Sequence, residues 1–275
     1  MELPRFNITV GEILEHTGEL PFMPQVARKA IDVIQDPKTS MNDLTNVLTL
    51  DQALAGLVLR WVNSAYYGFR ERISSVNQAV ALLGTRTVKN LVLTAAIADF
   101  MNKPVEGYAL ERGALWKHSI GLAAGAKLIC MAKKPAIAEE AYFAGLFCDI
   151  GKLAFHRYLF KLEPYKELVS DLPFDQVEKE VFGLNHAEVG AALIKSWNLP
   201  DHISSVVANH HTPANLTGDD KLIAYAVHAA DIAITFFGIG IGNESFQYHL
   251  DPETENIVGW NDEVLENLYD RVLPI

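Results

Sequence analysis

The chain has 275 residues, 49% of them hydrophobic, with 23 lysines and arginines against 34 aspartates and glutamates and a net charge of −11. It is long and apolar enough for a full core in one large domain or two ordinary ones, which excludes an intrinsically disordered chain. No run is rich in lysine or arginine, so the charge balance argues against broad nucleic-acid or anionic-membrane binding. The only two cysteines, Cys130 and Cys148, read as reduced thiols and predict a cytoplasmic protein.

Apolar spacings of three and four recur along the chain and alternating strand patterns are almost absent, so an all-α fold is predicted. Pro24 opens a helix through Val26, Ala30, Val33 and Ile34 that Asp36-Pro37 stops. Ser40, with Asp43 three residues later, caps a second, and Asp51 starts a third with Leu54, Leu57, Val58 and Trp61 on its apolar face. NSAYYG (63–68) then breaks the pattern. Ser75 and Gln78 form a capping box for a helix ending at Gly84, and Thr85 starts the next, through Val88, Leu91, Val92 and Ala95. This pair reads as an ordinary helical hairpin; a DNA-binding helix-turn-helix, with Arg86 and Lys89 on phosphates, is the alternative that the acidic balance opposes.

A composition shift at NKPVEG (102–107) divides the chain into an N-terminal helical subdomain, residues 1–105, and a second helical subdomain, residues 106–275. Leu222 to Gly242 is about long enough to span a bilayer. It contains His228 and Asp231, and a carboxylate near the centre of a spanning helix costs roughly 2.5–3.5 kcal/mol, so a buried core helix is expected instead.

The second subdomain places several ligand-type side chains on inward faces. His118 shares a face with Leu115, Leu122 and Ile129. Asn185 caps a helix with Glu188 at its third position, setting His186 in the first turn. In PDHISSVVANHH the face of Ile203, Val206 and Val207 continues onto His210, with His211 about 100° round on its flank. Asp231 lies one turn after His228 on the very apolar helix.

One histidine on such a face is more often a hydrogen-bonded core residue than a ligand. A core holding His118, Asp149, His186, His210 and Asp231 together buries too many imidazoles and carboxylates without a compensating cation. Histidine with aspartate is the donor mix that suits the divalent transition metals Fe, Mn, Zn or Ni. His16, His156, His202 and His249 show no such alignment and read as surface or local. LFCDIGK (146–152) then poses a question: Cys148-Asp149 reads as a working site with an unusual ligand, a decayed one, or a buried cysteine beside a helix cap.

The order His118, Cys148-Asp149, Asp231 resembles the H, HD, D pattern of the HD superfamily of metal-dependent phosphohydrolases. The chain is more specifically similar to HDOD domains (HD-related output domains), over almost its whole length. LPFMPQVARKAIDVI, DQALAGLVLRWVNSAYYGF and ISSVNQAVALLGTRTVKNLVLTAAI carry the likeness in the first half. LWKHSIGLAA, EEAYFAGLFCDIGKL, FGLNHAEVGAALIKSWNLP and VVANHHTP carry it in the second. The resemblance implies an N-terminal helical bundle joined to an HD-like helical subdomain, and a signal-transduction output or interaction module whose active site is commonly incomplete. The implied partner is a signalling protein or a nucleotide, with Arg70, Arg72, Arg86, Lys89, Tyr66 and Tyr67 as a candidate surface, or simply a solvated loop.

By likeness to the related HD-GYP phosphodiesterases, the metal ligands fall on His118, Cys148, Asp149, His186, His210, His211 and Asp231, with Lys152 in the place of a phosphate-contacting lysine. The implied two-metal sorting puts His118, Cys148, Asp149 and Asp231 in one sub-site and Asp149, His186, His210 and His211 in the other. Cys148 stands where that pattern has histidine, and Thr212-Pro213-Ala214-Asn215 replaces a Gly-Tyr-Pro element, which argues against cyclic di-GMP hydrolysis. A phosphohydrolase or phosphodiesterase with Asp149 and Lys152 as catalytic residues is the alternative to the output module.

Overall fold

The computed structural model describes residues 4–6, 8–16, 40, 43, 45, 52–64, 67–165, 172–242 and 249–272. The helix expected from Pro24 to Ile34 and the residues Asp51 and Tyr66 lie outside these. Among the described residues the regular structure is helical, without a strand, which makes the fold all-α. The chain divides into two compact units, one of residues 1–21 with 101–269 and one of residues 22–100 with 270–275.

In the second of these units, Ser40 and Asp43 exchange hydrogen bonds as a reciprocal cap, Asp43 N–H to Ser40 Oγ at 3.3 Å and Ser40 N–H to Asp43 Oδ2 at 2.8 Å. After α1 (Val10–His16) of the other unit, α2 (Gln52–Val62) buries Val58 and Val62. Asn63 closes it by accepting from Ile73 N–H and donating to Ile73 O. α3 (Val76–Met101) is broken at Gly84, whose φ of 80° and ψ of 159° no helix contains. The expected helix–Gly–helix pair is therefore present, because glycine alone adopts such a backbone without a Cβ penalty. Val88, Leu91, Val92 and Ala95 are buried as the spacing required. Only half the capping box forms: Ser75 Oγ accepts from Gln78 N–H, while the Gln78 side chain reaches Ser74 N–H instead of Ser75. Among the described residues α3 is the one helix long and apolar enough to cross a membrane, and 56% of its most apolar window is buried within the protein.

The larger unit is built on α4 (Ala114–Lys133), packed against α5 (Ala138–Phe147) and α10 (Gly218–Phe236). The run GLAAGA (121–126) is buried throughout. Small side chains let the backbones approach: a Cβ on Gly145 of α5 would lie 2.9 Å from Ala123 Cα, and one on Gly125 would lie 3.1 Å from Ala230 Cβ of α10. Helices buried on all sides are apolar on all sides, and Ile223 to Ala230 of α10 lie in a protein core.

Around these pack α6 (Lys152–Leu159), α7 (Phe174–Phe182), α8 (His186–Ser196) and α9 (Asp201–Ala208), followed after α10 by α11 (Thr254–Val258) and α12 (Asp262–Val272). Phe155 of α6 meets Phe182 of α7 edge to face at 5.3 Å, both fully buried. Each such ring contributes about 1.5–3 kcal/mol by leaving water. α8 carries the full capping box read from Asn185 and Glu188.

Candidate metal centre

Three helices and two turns of the larger unit bring the ligand-type side chains together. His118 comes from α4, Asp231 from α10 and His186 from the first turn of α8; Cys148 and Asp149 lie in the turn between α5 and α6. That turn is pressed onto α8, since a Cβ on Gly151 would lie 1.9 Å from His186 O. Glycine at 151 thus permits the backbone approach that puts Asp149 beside His186. His210 and His211 follow α9 in a turn. His210 does point inward, as the face of Val206 and Val207 predicts, but from a turn and not from a helix. The helix stops at Ala208, and His210 is fully buried because its Nδ1–H donates to Val207 O at 2.7 Å.

The protonation pattern can be read from the acceptors. His118 Nδ1 faces Ile239 O at 3.0 Å, His186 Nδ1 faces Glu178 Oε2 at 2.8 Å and His210 Nδ1 faces Val207 O. Each Nδ1 must donate to those oxygens, which leaves each Nε2 as the inward atom. All three Nε2 atoms converge on Asp149: His118 at 3.6 Å from Oδ2, His186 at 3.5 Å and His210 at 4.0 Å from Oδ1. His118 Nε2 also meets Asp231 Oδ1 at 2.8 Å, and His211 Nε2 lies 3.0 Å from His186 Nε2. Lys152 Nζ is 3.1 Å from Asp149 Oδ1 and 5.5 Å above the Tyr108 ring. His228 is spent differently, donating from Nδ1 to His210 O and accepting Asp251 N–H on Nε2, so it holds the turn and has no lone pair to offer.

Electrostatics follow from this packing. Burial would raise the Asp149 carboxyl, but the charges of Lys152, His118, His186 and His210 hold it below the usual carboxylate range. Burial likewise opposes charge on His118, yet the hydrogen bond and charge of Asp231, with Asp149, carry it above its ordinary value. His210 is pushed down to about 4 by burial and then by His186. Cys148 is fully buried, its thiol donates to Gly145 O at 3.3 Å, and burial with the charges of Asp149 and Asp231 pushes it well above an ordinary thiol.

Asp149 Oδ2 and His210 Nε2 are buried without a hydrogen-bond partner. An imidazole lone pair aimed at a carboxylate across 4.0 Å is a repulsive arrangement that a cation between them would resolve. The donor set fits a divalent transition metal, and three groups of ligand atoms lie mutually within 4.8 Å: His118, Asp149 and Asp231; His186, His210 and His211; Cys148, Asp149 and His210. Cys148 groups with Asp149 and His210, and the charge of Asp231 also acts on it. All seven expected ligands and Lys152 enter one cluster.

Sequence reasoning missed Glu178 and Tyr108. Glu178 is fully buried on α7, accepts from His186 N–H and Nδ1–H on one oxygen, and accepts from Tyr108 O–H on the other. Its signal was present: a carboxylate on the apolar stripe of Phe174, Val177 and Val181, eight residues before His186.

The larger unit thus gathers imidazoles and aspartates from three helices and two turns around one central aspartate. The profile of the HDOD domain matches residues 20–213, and the chain belongs to that family. A solved HDOD domain protein of unknown function from Geobacter sulfurreducens is 26% identical, covering 96% of this chain and 87% of its own, with a TM-score of 0.72. A structure from Marinobacter aquaeolei VT8, named as a candidate signal transduction protein, shares the fold at 24% identity and a TM-score of 0.69, over 94% of this chain and 58% of its own. A curated relative, an uncharacterized protein of Treponema pallidum (strain Nichols), is 25% identical over 82% of this chain; the chain spans 44% of that relative's length.

Proposed function

We propose that this chain is an output and interaction module of bacterial signal transduction, with an altered HD centre that binds one divalent transition ion or an asymmetric pair. The observation that carries the metal reading is the set of three imidazoles anchored through Nδ1 on outside acceptors, with every Nε2 turned to Asp149. Asp149, His186, His210 and His211 would hold Fe, Mn, Zn or Ni on one side, and His118 with Asp231 on the other. The altered character rests on Cys148, a buried thiol held protonated and turned to Gly145 O. A cysteine there offers a softer donor than an imidazole and would have to give up its proton to bind an ion. The family match spans parts of both units, which suits a scaffold for a signalling protein or nucleotide in the cytoplasm. The name of the Marinobacter structure agrees.

A second reading, metal-dependent hydrolysis of a phosphate ester or phosphodiester, is favoured by Lys152, a buried cation 3.1 Å from Asp149. A bound ion would supply a hydroxide-like nucleophile by lowering the pKa of a water. Asp149 would hold the ion, and Lys152 would neutralise the phosphate.

Metal analysis of protein purified without chelator tests the first reading, and near-zero content after supplementation with all four metals would sink it. A phosphatase and phosphodiesterase panel with each metal tests the second. Turnover abolished by Asp149→Asn would move the assignment to an enzyme, whereas turnover indifferent to that change would come from a contaminant.

A further inference from the structure

The three anchored histidines are not equivalent. His118 and His210 donate from Nδ1 to the neutral carbonyls of Ile239 and Val207, whereas His186 donates to a carboxylate, Glu178. That carboxylate is itself fixed at both oxygens, by Tyr108 O–H on Oε1 and by the His186 main-chain N–H on Oε2. Glu178 and His186 are both wholly inaccessible to solvent, and Tyr108 packs edge-on to the His186 ring at 6.1 Å.

We propose that Glu178, braced by Tyr108, is the positioning residue of the centre: it locks His186 in the Nδ1–H tautomer and leaves its Nε2 lone pair as the one offered to a metal. The inference rests on the metal-centre reading above. An acceptor on the far side of a ligand imidazole decides which nitrogen bears the proton, and an anionic acceptor raises the electron density of the ring more than a carbonyl does. Loss of such an outer partner typically costs about 10–100-fold in metal affinity. Glu178 also accepts the N–H of the first residue of α8, so a purely structural role, helix capping, is the rival account. Capping moves stability without moving the tautomer.

The test uses the full chain with Glu178→Gln, Glu178→Ala and Tyr108→Phe. Glutamine keeps an acceptor for both His186 donors and removes the charge; alanine removes the acceptor as well. In chelator-treated protein, long-range imidazole 15N–1H spectra read the tautomer of His186, assigned by loss of its signals in His186→Gln. Zn2+ affinity is read separately by competition with a chromophoric chelator. Wild type is expected to be purely Nδ1–H and Glu178→Gln to remain so. Glu178→Ala is expected to become a tautomer mixture, with Glu178→Gln binding Zn2+ about tenfold more weakly and Glu178→Ala weaker still. Tyr108→Phe is expected to fall between wild type and Glu178→Gln. If Glu178→Ala does not fold, an unchanged Zn2+ affinity in folded Glu178→Gln overturns the proposal, as does an Nε2–H tautomer in wild type. Wild type that binds no Zn2+ while showing the Nδ1–H signature would instead defeat the metal reading and leave Glu178 as the tautomer lock.

Discussion

Replacing Gly151 by alanine probes how the centre is held together. The added Cβ would lie 1.9 Å from His186 O and 2.6 Å from Gly190 N, both main-chain atoms of α8 that no rotamer change can move. To reach even the 3.0 Å that real Cβ contacts require, the α5–α6 turn and α8 must part by about 1.1 Å. Overpacking that side chains can absorb costs about 1–3 kcal/mol, and backbone against backbone belongs at the upper end, about 3 kcal/mol. With roughly 2–4 °C per kcal/mol for a chain of this class, the melting temperature should fall by roughly 6–12 °C. The same displacement pulls Asp149 from His186 Nε2, now 3.5 Å away, so metal retention should fall with stability. The control is Gly183→Ala, where φ is 80° and nothing lies within 4 Å; left-handed strain alone costs roughly 1–2 kcal/mol there and leaves the centre intact. Thermal melts by circular dichroism, paired with metal content, decide the matter. Were Gly151→Ala to melt no lower than Gly183→Ala and to keep wild-type metal, the close approach would not be what sets the ligand geometry.

Asp149 is the shared neighbour of three Nε2 atoms, so Asp149→Asn is expected to cut retained metal about tenfold or more, against a smaller loss for His211→Gln at the edge; equal losses in elemental analysis would contradict its central place. Both cysteines are buried, with the Cys130 thiol pushed up to about 12 by burial and Cys148 also raised. A thiol reagent at pH 8 should therefore count none in the native protein and two after denaturation, and rapid native labelling would refute the burial. His210 sits at about 4 in the folded chain against an ordinary 6.5, so between those pH values the unfolded state binds the extra proton. Stability of chelator-treated protein should therefore fall on acidification through that window, His210 contributing up to about 3 kcal/mol. Urea titrations across it should show a shallower pH slope for His210→Gln than for wild type, and an unchanged slope would exclude the assignment.

What could be read along the chain was whatever is decided within a few residues. The Asn185–Glu188 capping box, the break at Gly84 and the inward faces carrying His118 and Asp231 all depend on local hydrogen bonds or on helical periodicity, and all are present. His210 marks the boundary of that logic: its inward direction was legible from Val206 and Val207, but the helix ends at Ala208 and a side-chain bond to Val207 O turns the ring.

Periodicity assigns a residue to a face but says nothing of which face lies opposite. That pairing comes from long-range packing, through contacts such as Gly151 on His186 O and Gly145 on Ala123, whose free energy depends on both partners at once. The sequence by itself determined an all-helical chain with a set of inward histidines and acids. Only the tertiary structure decided that Glu178 stands behind His186, that His228 is spent on the backbone, and that Cys148 donates to Gly145 O beside His210. Each of those roles belongs to a pair of groups distant in sequence or turned by a local bend, and no single helix carries both members.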